Sequence, residues 1–278
     1  MTTAAQAMVA ATARLRAAGV PDPARDARIL LAHAARVDAT RVTLIAPEDI
    51  APEIADRYDQ LVALRAVRVP VSHLIGERAF YGRRFKVSGD VLDPRPETET
   101  LIEAALAEQF DRVLDLGTGS GCLIVTLLAE RVDATGCAID LSPAACLQAS
   151  ANAVLHGVAD RLEVTEGDWF APVEGRFDLI VSNPPYLARS EMAGLAPELR
   201  HHEPRMALTD EADGLSAYRI IAAQAGSYLT AQGRVICEFG ATQGAAVRAV
   251  FHRHSWADIH ILPDLDGRDR VLVARKPA

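Results

Sequence analysis

The chain opens on helical periodicity. Between residues 4 and 68, Ala, Leu, Arg, Glu and Asp dominate and Gly is nearly absent. Met8, Leu15 and Ala18 recur at helical spacing. Gly19 followed by Pro21 stops that helix, and Asp22-Pro23 starts the next, which carries Ile29, Leu30 and Leu31. Pro47 and Pro52 punctuate again before a third amphipathic stretch, from Ile54 through Leu61 and Leu64 to Val67. The pattern predicts a bundle of four or five short helices ending near Pro70.

Residues 71–95 change character. Gly76, Phe80, Tyr81, Gly82, Phe85, Val87 and Val91 form an aromatic and β-branched pattern broken by glycines, which predicts a hairpin. Residues 96–109 return to helical spacing, with Leu101, Ile102, Ala105 and Leu106 on one face. From Arg112 onward short apolar runs alternate with helical patterns. Strands are expected at 112–116, 134–139, 161–165, 177–182, 233–239, 256–262 and 270–275, and helices at 122–131, 143–156, 214–230 and 242–252. This alternation implies a parallel sheet covered on both faces. The loop Asp264-Leu265-Asp266-Gly267-Arg268 leaves no room for a crossover helix, so the last two strands should pair antiparallel. The expected class is α/β: residues 1–72 a small N-terminal helical bundle, 73–94 a β-hairpin linker, and 95–278 a seven-stranded unit whose last strand is antiparallel. That layout resembles the Rossmann-like class I methyltransferases.

Composition narrows the class. At roughly 150 residues per domain, 278 residues suggest two domains, enough for a core without disulfide or metal staples. The formal net charge of −8 argues against a protein that coats nucleic acid. Residues 1–75 carry nine Arg and eight acids, whereas 76–278 carry 20 basic and 29 acidic side chains. Cys122, Cys137, Cys146 and Cys237 contain no CxxC and lie among apolar residues, so reduced, buried thiols are expected. The N-terminus lacks the basic start of a signal peptide, and no purely apolar span of about 18 residues occurs. The expectation is a soluble, cytoplasmic protein.

The chemistry concentrates at strand ends. Arg112-Val113-Leu114-Asp115-Leu116 runs into Gly117-Thr118-Gly119-Ser120-Gly121 and then a helix. A nicotinamide fingerprint would need glycine at 122, where the chain has Cys122, which disfavours an oxidoreductase. D-x-G-x-G-x-G is instead the pattern of S-adenosylmethionine binding. Asp140 ends the second strand, where a carboxylate can accept from both ribose hydroxyls, and Asp168-Trp169 after the third strand can frame an adenine. The competing reading has Asp140 capping the helix after Pro143 and Trp169 as packing.

The fourth strand, 177–182, ends in Asn183-Pro184-Pro185-Tyr186. Two prolines fix φ and hold the turn rigid. The Asn183 side-chain oxygen and the Pro184 carbonyl can then point the same way, as two acceptors for a planar NH₂ group, with Tyr186 stacked on its plane. An amide nitrogen is a poor nucleophile, so what it needs is in-line positioning and stabilisation of developing positive charge. Asn183, Pro184 and Tyr186 are the candidate catalytic residues. Asn183, Pro184, Pro185 and Tyr186 form the candidate substrate site. Asn183 joins Gly117, Thr118, Gly119, Ser120, Gly121, Asp140, Asp168 and Trp169 as candidate cofactor ligands.

Together these motifs resemble the HemK/PrmC family of protein-(glutamine-N5) methyltransferases. The likeness extends to Phe80-Tyr81-Gly82, to Val91 through Glu99, to Asp168-Trp169-Phe170, to Arg200, Glu203-Pro204 and Ala207-Leu208, to Asp213-Gly214-Leu215 with Tyr218-Arg219, and to Asp264 through Arg270. Ser72-His73 stand where the family usually has Gln-Tyr, and Asp93 where an apolar residue is common. The resemblance implies methyl transfer from S-adenosylmethionine, leaving S-adenosylhomocysteine, to a glutamine side-chain amide of class 1 peptide chain release factors. It also implies a helical domain that binds the release factor. The alternatives are a ribosomal-protein glutamine methyltransferase, an adenine-N6 or guanine-N2 nucleic-acid methyltransferase, and a binding module without catalysis. The Arg95-Pro96-Glu97-Thr98-Glu99 run favours the release-factor branch. No membrane contact, direct nucleic-acid substrate or metal is expected: His201-His202, placed on a loop, lack further ligands at useful spacing.

Overall fold

The computed structural model describes residues 2–276. Its helices are α1 (Ala4–Ala17), α2 (Pro23–Ala35), α3 (Val42–Ile45), α4 (Pro52–Ala66) and α5 (Val71–Ile75), followed by the hairpin β1 (Glu77–Phe80) and β2 (Arg83–Lys86). The remaining elements are α6 (Glu99–Leu106), β3 (Arg112–Leu116), α7 (Cys122–Glu130), β4 (Thr135–Asp140), α8 (Pro143–Leu155), β5 (Leu162–Glu166), β6 (Phe177–Ser182), α9 (Pro197–His202), α10 (Arg205–Leu208), α11 (Ser216–Tyr228), β7 (Leu229–Glu238), α12 (Gly244–Arg253), β8 (Ala257–Pro263) and β9 (Asp269–Arg275). Contacts divide the chain into two units. The first runs to Glu77 and takes in Ala196–His202; the second holds Arg78–Leu195 and resumes at Glu203.

The first unit is the helical bundle. Thr3 and Gln6 form a capping box that satisfies two amides at the start of α1, and Pro23 and Pro52 occupy first-turn positions where no amide is needed. Leu15, Leu30, Leu31, Val42 and Val62 fill its core. Arg65 sits among them at 5% exposure, which a guanidinium tolerates only when paired. Its Nε donates to Asp26 at 2.7 Å and its Nη2 to Glu198 at 2.9 Å, while Arg68 donates twice more to Glu198. Glu198 thereby ties the distant segment 196–202 into the bundle. His201 and His202 therefore lie at the end of a helix rather than on a loop, because Pro197 opens a helical turn and Glu198 anchors it.

The second unit is built on one sheet with order β5-β4-β3-β6-β7-β9-β8. β9 is antiparallel to both β7 and β8, so the last strand in the chain inserts one place in from the edge. β3, β6 and residues 233–238 of β7 are buried nearly without interruption because helices cover both faces. One apolar cluster packs α6 and α7 on the sheet and another packs α11 and α12. β7 starts four residues before the predicted 233, since an irregular register beside Phe177 lets buried Leu229 pair early. The hairpin turns on Tyr81 and Gly82, both with positive φ (45° and 70°), the requirement of a two-residue turn matched to strand twist. Further expectations needed correction. Residues 96–109 divide into a short 3-10 turn, Pro96–Thr98, and α6. Cys122, Cys137 and Cys146 are only half-buried, because the rims of strands and helices that carry them are incompletely covered; all four thiols are free and Cys237 alone is buried. Among the described residues no helix is long and apolar enough to cross a membrane.

Candidate active site

Strand register assembles the site. Leu116 pairs with Ile139 on one side and Ser182 on the other, and Ser182 pairs with Cys237. The next residues along, Gly117, Asp140, Asn183 and Glu238, therefore stand side by side at the carboxyl ends of four parallel strands, where open α/β sheets bind ligands. A cleft of about 590 Å³ opens there. Gly117, Thr118, Gly119, Ser120, Asp140, Asp168, Trp169, Asn183 and Pro185 all line it. So do Thr98, Arg95 and a wall formed by 204–207 and 209–211. Gly121, Pro184 and Tyr186 are not among the lining residues.

The glycine loop is held from below. The Gly117 and Thr118 amides donate to the Ile139 carbonyl, and the Thr118 hydroxyl donates to Asp115 at 2.7 Å. Asp115 is wholly buried, and burial pushes its carboxyl up to about 7, against the pull of the Thr118 bond. Gly121 serves packing: a Cβ there would lie 3.1 Å from both Cα and Cβ of Ala149 on α8. Its φ of +78° also starts α7 in a conformation that other residues resist.

Asp140 accepts from the Gly119 amide at 2.8 Å with one oxygen and from the Ser142 amide at 2.9 Å with the other. Burial raises its pKa while these bonds oppose the rise. Ser142, not Asp140, caps α8, its hydroxyl accepting from the Ala145 amide, and each Asp140 oxygen keeps acceptor capacity beyond its one amide bond. Trp169 takes a left-handed backbone (φ 50°), an uncommon conformation that turns the chain out of β5 into the cleft wall.

The turn at 183–186 is fixed from three directions. The Ser182 hydroxyl donates to the Leu116 carbonyl at 2.7 Å. Gln243 Nε2 donates to the Tyr186 carbonyl at 2.7 Å. Gly214 approaches the same carbonyl so closely that a Cβ would stand 2.2 Å from the oxygen. The Asn183 Nδ2 donates to the Thr98 hydroxyl at 3.3 Å, and its buried Oδ1 has no partner among the described residues. A buried acceptor left open is costly unless something arrives to fill it. Burial raises the Tyr186 phenol to about 12, so it stays neutral.

The sequence reading missed Gly214 and Gln243 as supports of this turn, and Glu238. An isolated acid closing the apolar run Val235-Ile236-Cys237 was the available signal for Glu238; Gln243 offered none. Arg95 pairs with Glu203, which burial holds above the usual carboxylate range despite Arg95. Glu99 accepts from the Tyr81 amide at 2.8 Å, tying the hairpin to α6.

Comparison with known proteins places the chain. Residues 6–76 match a family described as the PrmC N-terminal domain, and residues 88–202 match the methyltransferase small domain. The chain is 57% identical to a release factor glutamine methyltransferase of Cereibacter sphaeroides, over 99% of each chain. It is 42% identical to one from Rhodospirillum rubrum, over 95% of this chain and 82% of that one. A methyltransferase from Pyrococcus furiosus superposes with a TM-score of 0.56 at 14% identity, covering 72% of this chain and 92% of that one. The hMettl16 catalytic domain, solved with an RNA hairpin, gives 0.60 at 16% identity, covering 78% and 82%. At such identities the last two share the fold only.

Proposed function

The chain belongs to the release factor glutamine methyltransferase family, and on that premise we propose that its cleft transfers a methyl group to the side-chain amide nitrogen of a glutamine in class 1 release factors. It is an S-adenosylmethionine-dependent protein-glutamine methyltransferase of the class I fold. The open, buried Asn183 Oδ1 carries the assignment of the acceptor site.

S-adenosylmethionine, when bound, supplies an electrophilic methyl group on a sulfonium centre. The cleft fits it: about 590 Å³ is within the range of small-molecule sites, and Asp140 presents two acceptors to a diol. Asp140 would hold the ribose, the 117–121 loop would let the ligand approach the backbone, and Asp168 with Trp169 would frame the base. Asn183 Oδ1 and the Pro184 carbonyl accept the two hydrogens of the glutamine NH₂ and aim its lone pair along the transfer line. Both also stabilise positive charge as it grows on that nitrogen. Neutral Tyr186 packs on the amide plane. No strong base is needed, because the proton becomes acidic as the C–N bond forms. The helical unit docks the release factor, and the work is done in the cytoplasm, where translation ends.

Asn183→Ala tests the reading. Turnover of labelled methyl onto purified release factor should fall about 100-fold or more, while cofactor affinity changes only a few-fold. Unchanged turnover would remove Asn183 from the acceptor site. Label on RNA or DNA oligonucleotides but not on release factor would overturn the substrate.

A further inference from the structure

The glycine loop has one further support, from a residue that does not line the cleft. Asn152 lies well inside α8, where asparagine is a poor helix former, and it is wholly buried. A buried carboxamide is tolerated when its groups are bonded. Its Oδ1 accepts from the Lys86 amide at 2.8 Å, and its Nδ2 donates to the Lys86 carbonyl at 2.9 Å and to the Ser120 carbonyl at 2.8 Å. The bonds to Lys86 copy the pairing of one strand with another; the bond to Ser120 takes hold of the loop 117–121. An N–H only donates and a carbonyl only accepts, so the Asn152 amide has a single orientation and both of its hydrogens are engaged.

Lys86 ends β2, and the chain runs on from it into another part of the cleft wall, residues 90–95. Val87 and Val91 of that stretch pack on Ala145 of α8, and Gly121 of the loop packs on Ala149. Ala145, Ala149 and Asn152 follow one another at helical spacing, so one face of α8 seats both the loop and the segment 87–95. Apolar contacts tolerate sliding. The Asn152 bonds do not, because any slip leaves a buried amide or carbonyl without its partner.

We propose that Asn152 is a positioning residue for the cofactor: a clamp that sets the gap between the glycine loop and the segment 87–95, and so shapes the cleft before the cofactor arrives. The clamp has this role only if the cleft takes S-adenosylmethionine, so it rests on that reading. Its loss weakens cofactor binding by removing preorganisation and leaves the chemistry of a filled site intact.

Titration calorimetry of the purified full-length chain with S-adenosylhomocysteine tests it. Asn152→Ala should raise the Kd about 10- to 100-fold, and Asn152→Asp, of the same shape but short of a donor, by about 10-fold or more. At saturating S-adenosylmethionine, kcat and the release-factor KM should stay within about twofold of wild type. Val250→Ala, which opens a cavity in the core of the same unit, is the control: it lowers stability but should leave the Kd within about twofold. Wild-type Kd in both Asn152 variants, an equal rise in Val250→Ala, or a lowered kcat at unchanged Kd would each overturn the clamp. Buried Phe85, and His156 Nε2 donating to the Arg84 carbonyl at 3.0 Å, keep β2 seated without Asn152, so the variants should fold. If neither does, the wild-type chain carries the test, because coupling is reciprocal. S-adenosylhomocysteine should then slow hydrogen exchange of the Lys86 amide, although Lys86 does not line the cleft, and unchanged exchange overturns the clamp. A wild-type chain that binds no S-adenosylhomocysteine would sink the cofactor reading itself; wild-type binding matched by both Asn152 variants would sink the clamp alone.

Discussion

Gly214→Ala is the sharpest perturbation of the acceptor turn that leaves every turn residue in place. Gly214 has φ +77°, a conformation that costs an L-residue about 1–2 kcal/mol. Its Cβ would stand 2.2 Å from the Tyr186 carbonyl oxygen and 2.9 Å from Gln243 Nε2. Contacts under 3.0 Å essentially do not occur, so the two backbones must part by nearly an ångström. Overpacking of this kind costs about a further 1–3 kcal/mol. Gly82→Ala is the control: its φ is +70° but nothing lies within 4 Å of its Cβ, so it carries the strain without the clash. Urea unfolding should find the Gly214 variant less stable than the Gly82 variant by about 1–3 kcal/mol. Because the parting moves the turn holding Asn183, kcat should drop about 100-fold in the first and stay near wild type in the second. Equal stability of the two variants, or full turnover in Gly214→Ala, would refute the claim that this close approach holds the turn.

Glu198→Ala removes three charge-assisted bonds, leaving Arg65 with Asp26 and Arg68 with the Gly19 carbonyl, so the helical unit should lose about 2–3 kcal/mol, with amides 197–202 exchanging faster. Burial alone would raise the Glu198 carboxyl, yet Arg68 and Arg65 hold it below the ordinary range, so its stabilising contribution is present above the unfolded pKa and fades as pH falls through the lowered one. Asp115 behaves oppositely: its folded pKa of about 7 exceeds the unfolded 3.8, so stability is lost as pH rises between them. Relative to wild type, Asp115→Asn should gain about 3 kcal/mol between pH 5 and pH 8 in parallel urea titrations, and a pH-independent gap would contradict the buried, raised carboxyl.

Much of the fold was legible because the central strands of the second unit are buried on both faces and therefore appear as nearly unbroken apolar runs. Strands 112–116 and 177–182 fall where the pattern put them. The site was legible because strand ends dictate neighbours: once β3, β4 and β6 are aligned, Gly117, Asp140 and Asn183 must converge. What stayed hidden depends on contacts far apart in sequence. Glu198 joins the helical unit through Arg65 and Arg68, more than a hundred residues away, and no local pattern marks that. The short helix α5 lay inside a stretch read as hairpin, because five residues ended by Gly76 give too little periodicity. Gln243 and Gly214 support the turn through single backbone contacts, which leave no trace in hydrophobic spacing. Thr98 was visible only as a member of the Arg95–Glu99 run.

The central claim is that one glutamine amide of a release factor receives the methyl group at the turn 183–186. Mass spectrometry of a purified class 1 release factor after reaction, with fragmentation to the modified atom, tests it most directly. The account requires a single added methyl on one glutamine side-chain nitrogen, absent when Asn183→Ala replaces the wild-type chain. A methyl group on any other residue, or on the same glutamine with the Asn183 variant at undiminished rate, would contradict it.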